Sequence, residues 1–151
     1  MSKLLTEEIL SYIGHSAPPK KEIVTRRDIQ KYSIATGQRQ KKYIRGDEAP
    51  PMFHVSLFWD VVELEQLMPD GVSKDILLPE FPLKKAMAGG LKIDYHKPIY
   101  PGDWLTATRT LTDIYEKVGS SGPLIFYEVV MEVVNEQGEK VITEKTTRIL
   151  R

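Results

Sequence analysis

The second half of the chain alternates hydrophobic and polar residues with a period of two. Four runs show this pattern, at 91–98, 103–118, 123–138 and 140–150. Such alternation is typical of strands that bury one face. Short turns join the last three runs, so those strands must be antiparallel. The residues expected on the buried face are Leu91, Ile93, Tyr95, Leu105, Ala107, Leu111, Ile125, Tyr127, Val129, Met131 and Val133.

The first half has helical spacing instead. Residues 4–14 place hydrophobic side chains on one helical face, and a proline-rich connector follows at 16–23. A second helix is predicted to begin after Thr25, a residue suited to capping, with Asp28 three positions on. Gly37 is suited to ending that helix, since glycine readily adopts the left-handed conformation of a helix C-terminus.

The most apolar segment, residues 52–68, lies between Pro51 and Pro69. As a helix it would be about 25 Å long. It would be hydrophobic around most of its circumference, with Asp60 and Glu63 on one wet edge, and such a helix should be wrapped by other structure. Helices that precede strands indicate an α+β class. The pattern therefore predicts a curved antiparallel sheet wrapped around a long central helix.

Composition narrows the functional classes. The 151 residues fit one domain spanning 1–151. Lys and Arg together number 21, as do Asp and Glu, so net charge draws the chain toward neither nucleic acid nor an anionic membrane. The absence of cysteine excludes disulfides and thiolate nucleophiles. Three scattered histidines predict no metal site. Without a secretory signal or a membrane span in the sequence, we expect a cytoplasmic protein.

Five segments together resemble a known family. They read "ATGQRQ", "APPMF", "AGGLKIDYHKPIYPGDWL", "GPLIFYEVVMEVVNEQGE" and "TEKTTRILR". In this order they resemble the MaoC-like acyl-thioester dehydratases and hydratases, and most closely their N-terminal, FAS1-like branch. The resemblance implies a hot-dog fold. It also implies an enoyl-CoA or enoyl-carrier thioester as the substrate and no cofactor.

The catalytic branch of that family carries an Asp and a His, five positions apart, in a loop after a helix. Laid on this sequence, the glycine of that loop is Gly37, the Asp position is Gln38 and the His position is Tyr43. Glutamine does not ionise. A tyrosine hydroxyl, with a reference pKa of about 10, is deprotonated in only about one molecule in a thousand at neutral pH. The resemblance therefore implies a loop without its acid–base pair.

Other residues are candidates for binding the thioester. Gly89 and Gly90 match the second family loop, whose backbone N–H groups approach the thioester. Basic side chains after Gly37 could contact the phosphates of coenzyme A, although Asp47 and Glu48 could equally offset them in a solvated loop. The predicted substrate-binding set is Gly37, Gln38, Tyr43, Phe53, His54, Gly89 and Gly90, and the predicted phosphate contacts are Arg39, Lys41 and Lys42.

Three functions remain open from the sequence. The chain could be the substrate-binding half of a hydratase or dehydratase, paired with a catalytic MaoC-like hot-dog subunit. It could be a non-enzymatic acyl-CoA-binding or regulatory protein. It could also act alone as a homodimeric hydratase or thioesterase, with Tyr43, Asp47, Glu48 or His54 as a substitute. For His54, a place at the edge of the core is the competing interpretation.

Overall fold

The computed structural model describes residues 4–151, which form one five-stranded sheet with short helices. The strands are β1 Lys20–Ile23, β2 Ala86–Tyr95, β3 Trp104–Gly119, β4 Gly122–Val134 and β5 Lys140–Leu150. Their order across the sheet is β1-β3-β4-β5-β2, and every neighbouring pair is antiparallel. The helices are α1 Glu7–Leu10, α2 Arg26–Ala35, α3 Lys41–Ile44 and α4 Phe53–Leu57, and a 3-10 turn spans Leu64–Gln66. The predicted α+β class is confirmed.

The alternating pattern predicts the core correctly on β3 and β4. On the outer strand β2 it is wrong for Leu91 and Tyr95, which were expected on the buried face and are about half exposed. On β3 the buried side chains include Leu105, Ala107 and Leu111, and on β4 they are Ile125, Val129 and Val133. These residues belong to two core clusters on one face of the sheet, which we call the inner face. One cluster packs under α2 and α4, and the other packs under α1 and the chain around Leu77 and Phe81. Period-two burial thus builds both halves of the core.

Two strand boundaries differ from the expectation. The connector at 16–23 contains β1, which pairs with β3 although all four of its residues are exposed. A strand that buries no side chain leaves no hydrophobic period, so only its backbone pairing reveals it. β2 begins at Ala86 rather than Leu91, because the small residues at its start form backbone bonds to β5 without any hydrophobic alternation.

The helix around Thr25 forms as predicted. The backbone N–H of Asp28 donates to Thr25 Oγ1 over 3.1 Å, which caps the first turn of α2. Gly37, with a φ of +72°, follows the last turn, and the N–H of Gln38 donates back to the carbonyl of Ser33 over 2.9 Å. The N-terminal helix is shorter than its pattern suggested, since α1 covers only Glu7–Leu10.

The predicted long helix over 52–68 is wrong. Helix α4 ends after Leu57, and beyond it Trp59 and Val61 are exposed, Val61 completely. The Asp60 carboxylate pairs with Lys20 on β1 and accepts from the Ser73 hydroxyl, which holds this part of the chain outside a helix. The β-branched pair Val61-Val62 also disfavours helix. The sheet therefore packs against several short helices and irregular chain rather than around one long central helix. Within residues 4–151 no helix is long and apolar enough to cross a membrane.

A row of three residues, Arg109, Met131 and Glu144, lies between the two core clusters. Arg109 on β3 stands in register with Met131 on β4, which pairs with Glu144 on β5. The Arg109 guanidinium makes two hydrogen bonds to the Asp75 carboxylate, of 3.2 and 2.7 Å. Glu144 lies between Ile142 and Leu150 in the strand, both of them buried. This row brings ionisable groups to the middle of the inner face.

Candidate functional site

A cleft of about 230 Å³ opens where α3, the prolines before α4 and the β2–β3 connection meet. Its buried lining residues form the floor, and its more exposed ones form the rim. The floor residues are Tyr43, Pro50, His54, Ile99 and Ile142, and the rim residues are Glu48, Ala49, Pro51, Tyr95, His96, Lys97 and Pro98. An apolar floor with a few polar groups is the usual character of a small-molecule site.

Tyr43 enters the floor from α3, where its side chain is buried. The ammonium of Lys42 lies over its ring, 4.9 Å from the centroid. Lys42 also pairs with Glu48 over 3.0 Å, and this hydrogen bond raises the pKa of Lys42. At the floor of the cleft the fold thus places the Tyr43 phenol beside the Lys42 ammonium.

His54, the second residue of α4, is fully buried and is the only imidazole in the floor. Its Nε2 lies 2.5 Å from Glu144 Oε2, and the other oxygen of that carboxylate accepts from Thr146 Oγ1 over 3.2 Å. The bond from His54 holds the pKa of Glu144 below its ordinary value. An ionised carboxylate only accepts hydrogen bonds, so Nε2 carries the proton of this pair. Within the described chain, Nδ1 is buried without a partner.

Tyr95, from the end of β2, covers the same side of the cleft. Its ring stands edge-on to His54 at 6.3 Å between centroids, and its hydroxyl accepts from the backbone N–H of Met52 over 3.0 Å. Met52 has a φ of +69°, an unusual conformation for a residue with a side chain. The two prolines before it and this hydrogen bond fix how α4 begins. They therefore fix where His54 lies.

The structure brings only part of the predicted set together. Tyr43 and His54 line the cleft, with Glu48 beside them, whereas Gln38 and Phe53 are absent from the lining. Phe53 belongs to the core, where its ring meets Tyr32 edge-on at 5.6 Å. Gly37 and Gln38 form the end of α2.

Gly89 and Gly90 lie inside β2, at a β-bulge, rather than in a loop. A Cβ on Gly89 would come within 2.9 Å of an Ile149 carbon, so close packing against β5 accounts for this glycine. Neither glycine lines the cleft. Their predicted contact with the thioester stays a prediction.

The predicted phosphate contacts lie on the exposed surface around α3. Lys42 is held by Glu48, while Arg39 and Lys41 make no ion pair within the described residues. Lys97, on the rim, adds a further cation, which pairs with Glu139 over 2.6 Å. Among the described residues, Arg39 and Lys41 are thus without an ion pair, whereas Lys42 and Lys97 are paired.

Sequence reasoning missed Glu144 and Tyr95. The inward face of β5 reads Ile142, Glu144, Thr146, Arg148, Leu150, so two charged residues, one of them the carboxylate Glu144, interrupt an inward row. That interruption was a usable signal, because a carboxylate is almost never buried unless it is paired. Among residues 4–151 no three His, Asp or Glu side chains gather closely enough to hold a metal ion.

A family model described as "FAS1-like, dehydratase domain region" matches residues 11–144. The chain belongs to this family. The family assignment agrees with the order of segments from "ATGQRQ" to "TEKTTRILR". Two curated relatives are also similar. The UPF0336 protein SCO4636 of Streptomyces coelicolor is 26% identical over 144 residues, covering 93% of each chain. Mesaconyl-C(4)-CoA hydratase of Chloroflexus aurantiacus is 28% identical over 89 residues, 58% of this chain and 32% of the enzyme.

Solved structures show the same fold. The ChsH1-ChsH2 complex from Mycobacterium tuberculosis superposes with a TM-score of 0.70 at 16% identity, covering 95% of this chain and 86% of the matched one. The HadBC 3R-hydroxyacyl-ACP dehydratase complex from the same organism has a TM-score of 0.58 at 17% identity, and the match covers 91% of this chain and 96% of the matched one. The R-hydratase PhaJ1 from Pseudomonas aeruginosa has a TM-score of 0.59 at 15% identity, and the match covers 94% of this chain and 85% of the matched one. The FAS1-like chain thus has the predicted hot-dog fold and belongs to a family of MaoC-like hydratases and dehydratases.

Proposed function

We propose that this FAS1-like chain is the acyl-thioester-binding subunit of a hydratase or dehydratase, and that a second hot-dog subunit supplies the catalytic Asp and His. The observation that carries the proposal is the loop after α2. When the family loop is aligned on this sequence, Gln38 and Tyr43 take the positions of the acid–base pair, and in the structure Tyr43 is buried beside the Lys42 ammonium. Of the two residues only Tyr43 lines the cleft, and its phenol suits hydrogen bonding to a ligand.

The chemistry explains why a second subunit is needed. Hydration of an enoyl thioester requires one group to take a proton from water and a group to deliver a proton to the α-carbon. A positioned acid or base typically contributes about 10²–10⁴-fold to the rate. Gln38 supplies neither function, and a tyrosine phenol is a poor substitute for the imidazole of a histidine as a proton acceptor. Loss of both contributions leaves binding as the role of this loop.

The open edge of the sheet supports pairing. β2 is an outer strand, and its free edge is unpaired in the described chain. Its exposed hydrophobic residues include Leu91, and elsewhere in the described chain Trp59 and Leu64 are also more than half exposed. Exposed strand edges and apolar surface are features that a partner subunit covers. The ChsH1-ChsH2 and HadBC structures are complexes of named pairs, which supports a heteromeric arrangement for this chain as well.

Copurification tests the pairing. We expect the tagged chain, isolated from its native source, to bring down a second hot-dog protein whose loop contains the Asp and the His. A stoichiometric complex seen by mass spectrometry and size-exclusion chromatography would support the proposal. A chain that emerges only as a homodimer, with no hot-dog protein bound at any salt concentration, would contradict it.

The basic residues give a second prediction. Replacing both Arg39 and Lys41 with serine should weaken binding of a short acyl-CoA several-fold, because these free cations would contact the nucleotide phosphates. The loss should diminish as salt is raised. The same acyl group on pantetheine, which lacks the nucleotide, is the matched control and should bind both proteins equally in a calorimetric titration. An equal loss for the two ligands would place the nucleotide elsewhere.

A further inference from the structure

The face of the sheet opposite the two core clusters, which we call the outer face, contains an unexpected hydrophobic row. Helices α1, α2 and α4 pack on the inner face, so the outer face of this antiparallel sheet should be polar. Four large side chains nevertheless stand in register across four strands, and none of them belongs to either core cluster. This outer row consists of Tyr115 on β3, Phe126 on β4, Ile149 on β5 and Met87 on β2.

Alternation along the strands fixes the side of the sheet on which the outer row lies. Ile114, Ile125 and Leu150 belong to the core and are at most 6% exposed. Their neighbours in the outer row therefore point to the other face. The rings of Tyr115 and Phe126 are stacked, with 5.1 Å between centroids and 13° between planes. The outer row is thus hydrophobic surface that the core of the described chain does not use.

Positive charge borders the outer row on the side of the β3–β4 turn. The ammonium of Lys117 lies over both rings of the stack, 5.5 and 5.1 Å from their centroids. Lys85 and Arg151 follow on β2 and β5, where their backbones exchange two hydrogen bonds of 3.1 and 3.0 Å. All three residues are exposed, and none forms an ion pair within the described chain. We call them the basic side.

Negative charge borders the outer row on its other side. Asp113 stands in register with Glu128, one step beyond Tyr115 and Phe126 along their strands. Lys145 pairs with Glu128 over 3.2 Å, whereas Asp113 forms no ion pair within residues 4–151. Asp113 and Glu128 form the acidic side. Across this part of the sheet the order is therefore basic, hydrophobic, acidic.

This order of charges makes the outer face complementary to a second copy of itself. A two-fold axis along the outer row would place the basic side of each copy over the acidic side of the other, as an isologous interface requires. An axis along the strands would instead place like charges over each other. Lys117 and Asp113 lie on β3 on either side of Tyr115. Rotation about the row therefore brings Lys117 of one copy opposite Asp113 of the second copy.

We propose that the outer face is an interface between two copies of this chain, related by a two-fold axis along the outer row. The row and its two charged sides cover about 20 Å by 20 Å, or about 400 Å² per copy, from the spacing of strands and residues. That is about half of a standard interface, so the dimer is weak, with a dissociation constant on the order of 10 μM. The inference goes beyond the proposed function and does not depend on it.

The contact leaves the free backbone edge of β2 available. That edge, where we propose that a catalytic subunit pairs, points along the sheet, whereas the outer face points away from it. Both contacts can therefore form at once. The expected assembly contains two copies of this chain, each with its own partner subunit.

A substitution in the outer row tests whether the row is the interface. Sedimentation velocity of the purified chain over a concentration series gives the dissociation constant of the dimer. Phe126→Asp places a charge at the centre of the row and should raise this constant more than about tenfold, because the carboxylate would be buried without a partner. Ile34→Asp, at a position on α2 that is 68% exposed, is the control and should leave the constant unchanged.

A charge exchange tests the two-fold arrangement. Lys117→Glu and Asp113→Lys should each raise the dissociation constant roughly five- to tenfold, because each replaces an attraction by a repulsion twice per dimer. The two changes combined in one chain should restore the dimer. Within a single chain the two residues are about 13 Å apart, farther than the Debye length at physiological salt, so this rescue must act between copies. Lys31→Glu, the same charge change on exposed α2, is the matched control.

Circular dichroism confirms that each variant is folded, and the charge variants keep the test valid if Phe126→Asp does not fold. An unmodified chain that stays monomeric throughout the series would overturn the inference. A dimer that persists equally in a folded Phe126→Asp would overturn it too and place the contact elsewhere, for example at the β2 edge. Failure of the combined charge variant to recover would refute the two-fold arrangement and with it the proposed interface.

Discussion

Replacing His54 with leucine should lower the free energy of unfolding by about 3–5 kcal/mol, because it leaves a largely buried carboxylate without its main partner. The Glu144 side chain is only 14% exposed, and its nearest donor besides His54 is the Thr146 hydroxyl. The double variant H54F/E144L is the matched control and should recover most of the loss. Guanidinium denaturation of the three proteins measures the effect. If H54L lost less than about 1 kcal/mol of its free energy of unfolding, the His54–Glu144 pair would have to be solvated in the folded chain.

The same pair predicts a pH dependence with a definite sign. Hydrogen bonding to His54 lowers the pKa of Glu144 in the folded chain relative to the unfolded one. The stabilisation is therefore fully present above the unfolded pKa of a glutamate, about 4.3, and is lost as the pH falls through the folded pKa. Between neutral pH and pH 3, the unmodified chain should lose more stability than E144Q does. Parallel losses in the two proteins would contradict this assignment.

Replacing Phe53 with alanine should cost about 3–5 kcal/mol, the usual range for removing a buried aromatic ring. Phe53 is 2% exposed and packs edge-on against Tyr32, which joins α4 to α2. Ile34 on the same helix α2 is 68% exposed. Ile34→Ala therefore serves as the control and should change stability by no more than about 0.5 kcal/mol.

If Phe53→Ala lowered the free energy of unfolding by no more than Ile34→Ala does, the position of α4 would not depend on the Phe53 ring. Because His54 follows Phe53 directly, the variant should also weaken acyl-CoA binding through a misplaced cleft floor. Calorimetric titration of the folded fraction at low temperature measures that second effect.

The sheet was predictable because its burial follows a two-residue period. The alternation alone was enough to predict that Leu105, Ala107 and Leu111 are buried, and they are. The prediction of a helix over residues 52–68 was wrong for the opposite reason. The hydrophobic residues of this segment are too dense to show any period. Three of them, Trp59, Val61 and Leu64, are exposed in the single chain, where a helical interpretation would have buried them.

The site was predictable only where the resemblance supplied positions. Tyr43 came from the loop alignment, and His54 was a candidate for which the edge of the core was the competing interpretation; both line the cleft. Glu144 comes from a strand 90 residues away from His54 in sequence. Only the register of the folded sheet brings such distant residues into contact, so local patterns contain no direct signal for the pair.

The most direct test of the account is hydration of a short trans-2-enoyl-CoA by the purified chain, followed through loss of the enoyl absorbance. The account predicts no turnover above the buffer blank under conditions where acyl-CoA binding is saturated. It also predicts that turnover appears when the copurifying subunit with the Asp and His is added. Robust turnover by the chain alone, abolished by substitution of Tyr43, Asp47, Glu48 or His54, would contradict the account and make this chain a complete enzyme.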